Sequence, residues 1–228
     1  MNKLPAVILW AIAFAYVESA IVEYLRALYY PLADGGFLFP VKTLAELEAL
    51  GPEHLKRLTI ELGRELATLI MLASVAAAAG RNRREAWAHF LVGFGVWDIF
   101  YYIWLKLFLD WPPGFMTWDL LFLVPAPWVG PVWAPVVLSV VMIAAGVTVL
   151  WFESRSRPVR TTWTDWFLIT AGGVIVIVSF CWDASQIMTG GTPNPFLWPI
   201  FAAGLALSSG VFLLVIRRSV RETASGPS

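Results

Sequence analysis

Apolar residues in this chain come in blocks too long for an ordinary soluble helix. A membrane-spanning helix needs about 20 mainly apolar residues. Six stretches meet that length, at residues 4–28, 55–79, 86–109, 131–152, 163–188 and 196–216. The predicted fold class is all-α: a polytopic membrane helical bundle, with one transmembrane domain over 1–221 and a disordered cytoplasmic tail at 222–228.

Two connections break this pattern. In "TLAELEALGP", Thr43 and Glu46 are placed as a capping box, Leu44, Leu47 and Leu50 share a side, and Gly51–Pro52 is a stop. That predicts a short amphipathic helix on the membrane surface, a connector or a lid. The second is "TWDLLFLVPAPWVGPVWAP" at 117–135, where Pro125, Pro127, Pro131 and Pro135 cannot share one unbroken helix. Residues 118–125 are too short to span. The irregular segment 117–130 is therefore expected either to re-enter as a half-helix or to kink a long fourth span. Broken backbone at membrane depth survives only beside protein or a watery cavity, so the segment points to a cavity. The dipeptide Trp-Asp recurs at 97–98, 118–119 and 182–183, at intervals that fit no repeat.

Composition agrees with the block pattern. Hydrophobic residues make up 59% of the 228, charged residues 14%, and mean hydropathy is +0.71, more apolar surface than a soluble domain this size can bury. Net charge is zero, so no global field calls for nucleic acid. The single Cys181 excludes an intrachain disulfide and offers no metal or redox motif. Lys3 and the run to "AIAFA" resemble a signal peptide, but the apolar pattern continues to Tyr30, which favours a retained helix.

The basic residues cluster, and the clusters orient the chain. "RNRR" (81–84), "ESRSRPVR" (153–160) and "RRSVR" (217–221) alternate with connections poor in Lys and Arg. With six spans these clusters and Lys3 share one side, the cytoplasm by the positive-inside rule. The expected location is the plasma (inner) membrane, multi-pass, with both termini cytoplasmic.

Orientation sorts the acids into a layer. Glu18, Glu23, Glu61, Glu65, Asp98, Asp119 and Asp183 all fall in the outer half. Glu18 lies about 22 Å along its helix from Lys3, Glu65 about 12 Å from Arg57, and Asp98 about 16 Å from Trp87. Glu61, Arg64 and Glu65 occupy one helical face, and Asp98 shares a face with Tyr101 and Tyr102. Glu18, Glu61, Arg64, Glu65, Asp98, Tyr101, Tyr102 and Trp97 are the candidate substrate- or cation-binding residues. Glu23, Asp119 and Asp183 are secondary, because interfacial acids and helix N-termini account for such positions. Only Arg64 and Lys106 oppose the acids, which leaves an excess to be relieved by a proton, a metal ion or an organic cation. Arg64 clamped between Glu18 and Glu65 as helix glue is the structural alternative.

The chemistry narrows from there. No G-x-S-x-G occurs, and His89 is on the wrong side to serve an outer nucleophile. His54 and His89 lie at opposite faces, which disfavours haem. A metal in a histidine-free layer would be Ca²⁺, Mg²⁺ or Mn²⁺ rather than zinc. Trp97, Trp104, Trp118, Trp128, Trp133 and Trp182 fall near the same layer, and an aromatic face beside a carboxylate suits an organic cation. Trp97 next to deep Asp98 stands out, since an interfacial belt explains most of the others.

These features support binding, and transport with or without proton coupling, of a metal or organic cation. Alternatively the chain is an intramembrane enzyme on a lipid or isoprenoid, with Asp98 or Glu65 as general acid/base and Arg64 clamping an anionic head group. A third possibility is a structural subunit, or a homo-oligomer, joined through the small residues of "AAGLALSSG" (202–210) on the last span. The expected partners are the lipid bilayer and a cation or other small molecule.

Overall fold

The computed structural model describes residues 3–29, 52–124, 126–157, 159–188 and 193–224. Its helices follow the apolar blocks. They are α1 (Leu4–Tyr29), α2 (Pro52–Ala79), α3 (Arg83–Leu109), α4 (Trp133–Ser154), α5 (Trp163–Cys181), a short α6 (Ala184–Met188) and α7 (Trp198–Ala224). Six segments, with α5 and α6 as one, are long and apolar enough to cross a bilayer, which supports a multi-pass membrane protein. The predicted surface helix at 43–52 lies outside the described residues, except for Pro52 at the start of α2, where a missing N–H costs nothing. α7 continues to Ala224, into the stretch expected to be a disordered tail, whose last residues lie outside the described ones.

Local chemistry sets the helix ends. Asn82 caps α3 by accepting the Glu85 N–H at 3.0 Å. Thr162 and Asp165 form a reciprocal capping box at the start of α5. α3 ends at Asp110, which adopts the left-handed conformation (φ 53°) and returns its N–H to the Lys106 carbonyl.

Contacts place all the basic stretches at one end of the bundle. Lys3 donates to the Ala78 carbonyl (2.9 Å), bringing the start of α1 to the end of α2. Arg84 pairs with Glu153 at 3.6 Å, and Asn82 donates to the same carboxylate, joining the start of α3 to the end of α4. Arg218 pairs with Asp165, and the Arg160 N–H donates to Ser219 at 3.2 Å, joining α5 to the end of α7.

α3 is the central helix. It packs against α1, α2 and α4, while α5 pairs with α7. One core cluster joins Ala11, Ala15, Leu72, Val92, Val96 and Trp97, and another joins Ala134, Val176, Phe180 and Phe201. Leu9, Ile70, Leu107, Phe167 and Leu214 point outward, as expected where the solvent is lipid. The small residues of 202–210 divide between inside and outside. Gly204 and Ser208 meet Gly172 of α5, where a Cβ would lie 2.7 Å from the Gly204 carbonyl oxygen, and Ser208 donates to the Ile169 carbonyl. That part of the small-residue face is spent within the chain, and Ala202, Ala203 and Ala206 stay exposed.

The Pro-rich segment is neither a half-helix nor part of a kinked fourth span. It is an antiparallel hairpin of β1 (Trp118–Phe122) and β2 (Trp128–Pro131), pairing Asp119 with Gly130 and Leu120 with Val129, with a bulge before Phe122. Closely spaced prolines remove helical donors, whereas Pro131 at the end of β2 is tolerated. Gly130 is required by close packing, since a Cβ there would lie 3.0 Å from the rings of Phe180 and Phe196. The hairpin begins beside the start of α4, through Val132 N–H to the Thr117 carbonyl (2.9 Å). It then runs inward until Phe122 reaches Phe94 and Trp97, with ring centroids 6.5 and 6.2 Å apart. Phe94 stands about 16 Å along α3 from Arg83, so the inner end of the hairpin packs beside the middle of that helix.

Gly172→Val should overpack the α5–α7 contact and lower unfolding free energy by about 1–3 kcal/mol. Gly63→Ala, where a Cβ meets nothing within 4 Å, should be neutral or gain up to about 1 kcal/mol. Thermal unfolding of the two variants in micelles checks both signs.

Candidate functional site

An ionised group in an apolar bundle must find its partner within the protein, and here the partners come from neighbouring helices. Arg64 of α2 pairs with Glu18 of α1 and, one turn back on its own helix, with Glu61. Thr68 lies on the same face. Its hydroxyl bonds the Arg64 carbonyl (3.1 Å) and lies 3.3 Å from the second oxygen of Glu18. Glu18 is 5% exposed, while Glu61 is half-buried. Arg64 is therefore clamped between Glu18 and Glu61, not between Glu18 and Glu65.

Glu65 turns instead to the hairpin. Its carboxylate accepts the backbone N–H of Leu123 at 2.8 Å, just beyond β1. The residue is 7% exposed.

Asp98 and Asp119 form the other half of the site. Asp98 of α3 accepts the Ser139 hydroxyl of α4 at 2.9 Å. Asp119, on β1 and 1% exposed, accepts the Tyr102 hydroxyl at 3.0 Å. Tyr101 lies between the halves, within electrostatic reach of Asp119, Arg64, Asp98 and Glu61. Its ring stacks on Trp97 (6.3 Å between centroids), which also touches Phe122. The buried Trp97 indole N–H has no hydrogen-bond partner among the described residues.

The structure thus brings together Glu18, Glu61, Arg64, Glu65, Asp98, Tyr101, Tyr102 and Trp97, and draws Asp119 in with them. Asp183 is engaged elsewhere, accepting the Asn194 backbone N–H (2.8 Å) and side-chain amide (2.9 Å) where α5 breaks into α6. Glu23 is half-buried on α1 with no partner among the described residues. Lys106 does not join the acids. It pairs with exposed Asp110 at 2.7 Å and caps the carbonyls of Asp110 and Pro112. That hydrogen bond, with the Lys106 charge, holds the Asp110 carboxyl below its usual range. Among the described residues Arg64 is thus the cation bonded to the acids of this site.

Thr68, Ser139 and the Leu123 amide were not anticipated. Thr68 could have been found from its spacing, four residues beyond Arg64 on the same face. No local pattern marks Ser139, and an amide donor carries no side-chain signal. His89 is buried near the basic end with Nδ1 at 2.7 Å from the Glu85 carbonyl.

No group of three His, Cys, Asp or Glu side chains among the described residues is placed to hold a metal ion. The expectation of Ca²⁺, Mg²⁺ or Mn²⁺ therefore has no ligand set in this arrangement. The acids are spread over three helices and β1 rather than converging on one point. No protein-family model, no curated protein and no solved structure matches the chain.

Arg64→Leu strands Glu18 in the bundle and should cost about 3 kcal/mol of stability, with the double variant Glu18→Gln/Arg64→Leu losing less than Arg64→Leu alone. Tyr102→Phe, which removes a buried donor from Asp119, should cost about 1–3 kcal/mol. Unfolding of these variants in micelles reads all the differences.

Proposed function

We propose that the protein binds a cation within the membrane, at the acid layer shared by α1, α2, α3 and the hairpin, and moves it in exchange for protons. The observation that carries this reading is charge imbalance. Glu18, Glu61, Glu65, Asp98 and Asp119 are joined through Arg64, Tyr101 and Tyr102, with one guanidinium among five carboxylates. Such an excess in a poorly hydrated site must be relieved by protonation or by a bound cation.

The donor geometry favours an organic cation or a proton over a divalent metal. The carboxylates are separated and hydrogen-bonded, whereas Trp97 and Tyr101 supply stacked aromatic faces beside Asp98. The hairpin is compatible with this reading, because non-helical backbone at membrane depth is tolerated where it is buried in protein or lines a watery cavity. The enzyme reading needs Arg64 free to clamp an anionic head group, and Glu18 and Glu61 already occupy it. By the positive-inside rule the basic end would face the cytoplasm, so the acid layer would open to the other side.

Proteoliposome uptake with a panel of organic and inorganic cations tests the reading. Uptake of an organic cation should require an opposing proton gradient and fall at least about tenfold in Glu65→Gln and in Asp98→Asn, the loss expected when a buried binding charge worth about 1.4 kcal/mol is removed. If no cation moves and neither substitution changes cation binding, the proposal fails.

A further inference from the structure

The carboxylate of Glu65 holds backbone at the inner end of the hairpin strand β1. One of its oxygens takes the Leu123 N–H at 2.8 Å. Leu123 follows β1 directly, where ladder pairing with β2 has ended at Phe122 and Trp128. Backbone donors released from a ladder at membrane depth need an acceptor, and an ionised carboxylate is the strongest one a side chain offers. Aromatic packing seats the same end of the strand, Phe122 lying between Phe94, Trp97 and Trp128. That packing is non-directional and insensitive to protons. The bond to Glu65 is neither.

The groups facing this bond are few. Glu61 and Arg64 flank Glu65 on α2, Glu18 reaches it from α1 through Arg64, and Tyr101 of α3 lies within reach of Arg64 and Glu61. Residues 120–124 carry no titratable side chain. The charge state of Glu65 therefore sets the strength of the hold.

We propose that the Glu65–hairpin hydrogen bond is a proton-operated catch: ionised Glu65 keeps the end of β1 seated in the bundle, and neutralised Glu65 lets it swing away from α2. A protonated carboxyl still offers a carbonyl oxygen, but a neutral hydrogen bond is about half as strong as a charge-assisted one. Protonation therefore shifts a population without unfolding the hairpin, whose base stays tied through Thr117 and Val132. The catch goes beyond the cation reading, because it describes motion of the hairpin whatever the protein carries.

The test uses the full chain in nanodiscs. Cys181 is first replaced by serine, and a reporter is introduced as Leu123→Cys, at a half-buried position. A membrane-impermeant maleimide labels it, and its rate is divided by that of Gly114→Cys, an exposed loop position whose Cβ meets nothing within 4 Å. The ratio removes the thiol's own pH dependence. Between pH 8 and pH 5 it should rise about fivefold with Glu65 present, stay flat in Glu65→Gln, and still rise in Glu65→Asp and Glu61→Gln. A flat ratio in the Glu65 protein, or a rise that survives Glu65→Gln, overturns the proposal. So does loss of the rise in Glu61→Gln, which would assign the proton to the wrong carboxylate. If Glu65→Gln does not insert, the Glu65, Glu65→Asp and Glu61→Gln proteins still decide. No transport is measured, so this experiment and the uptake experiment fail independently.

Discussion

A carboxylate carried into an apolar bundle must be met there by donors or counter-charges, and that requirement shapes the acid layer of this protein. Glu18 is met by Arg64 and Thr68, Glu65 by the Leu123 amide, Asp98 by Ser139, and Asp119 by Tyr102. Each of these contacts joins different elements: α1 to α2, α2 to the hairpin, α3 to α4, α3 to β1. Association of spans gains little from hydrophobic burial when the surroundings are lipid, so such polar links help decide which helices meet. The same contacts leave the layer with more acid than base. Structure and proposed function thus draw on one set of side chains.

The hairpin is the unusual member of the bundle. A two-stranded ribbon is marginal by itself and costly at membrane depth with unpaired edges. It is seated by close packing of Gly130 against Phe180 and Phe196, by the aromatic contacts of Phe122, and by Glu65 at its inner end. Two of these three supports are fixed packing and the third is ionic. That difference gives one end of an otherwise rigid insert a way to respond to protons.

Much of the architecture is legible in the chain because lipid imposes a length and a polarity on each span. All six spans lie where apolar runs place them, and the basic loops meet at one end. Helical spacing also exposes the face carrying Glu61, Arg64 and Glu65. The sequence is silent where partners are non-local. Ser139 against Asp98 spans 41 positions, and Leu123 against Glu65 spans 58. Lys106 misleads for a related reason. Its helical position suggests that it neutralises the layer, yet a helix end and Asp110 just beyond it offer closer partners. The Pro-rich segment announces broken backbone without saying which kind. Proline forbids the helix, but strand pairing depends on what Gly130 and Phe122 pack against.

The central claim is that buried acids exceed their counter-charges and are balanced by a proton that a cation replaces. A hydrophobic carbodiimide reacts with protonated membrane carboxyls, and mass spectrometry of the modified protein shows which ones. The account predicts modification at Glu65 or Asp98 that slows when an organic cation is added. Finding none of Glu18, Glu61, Glu65, Asp98 and Asp119 modified, or a rate indifferent to every cation, would contradict it.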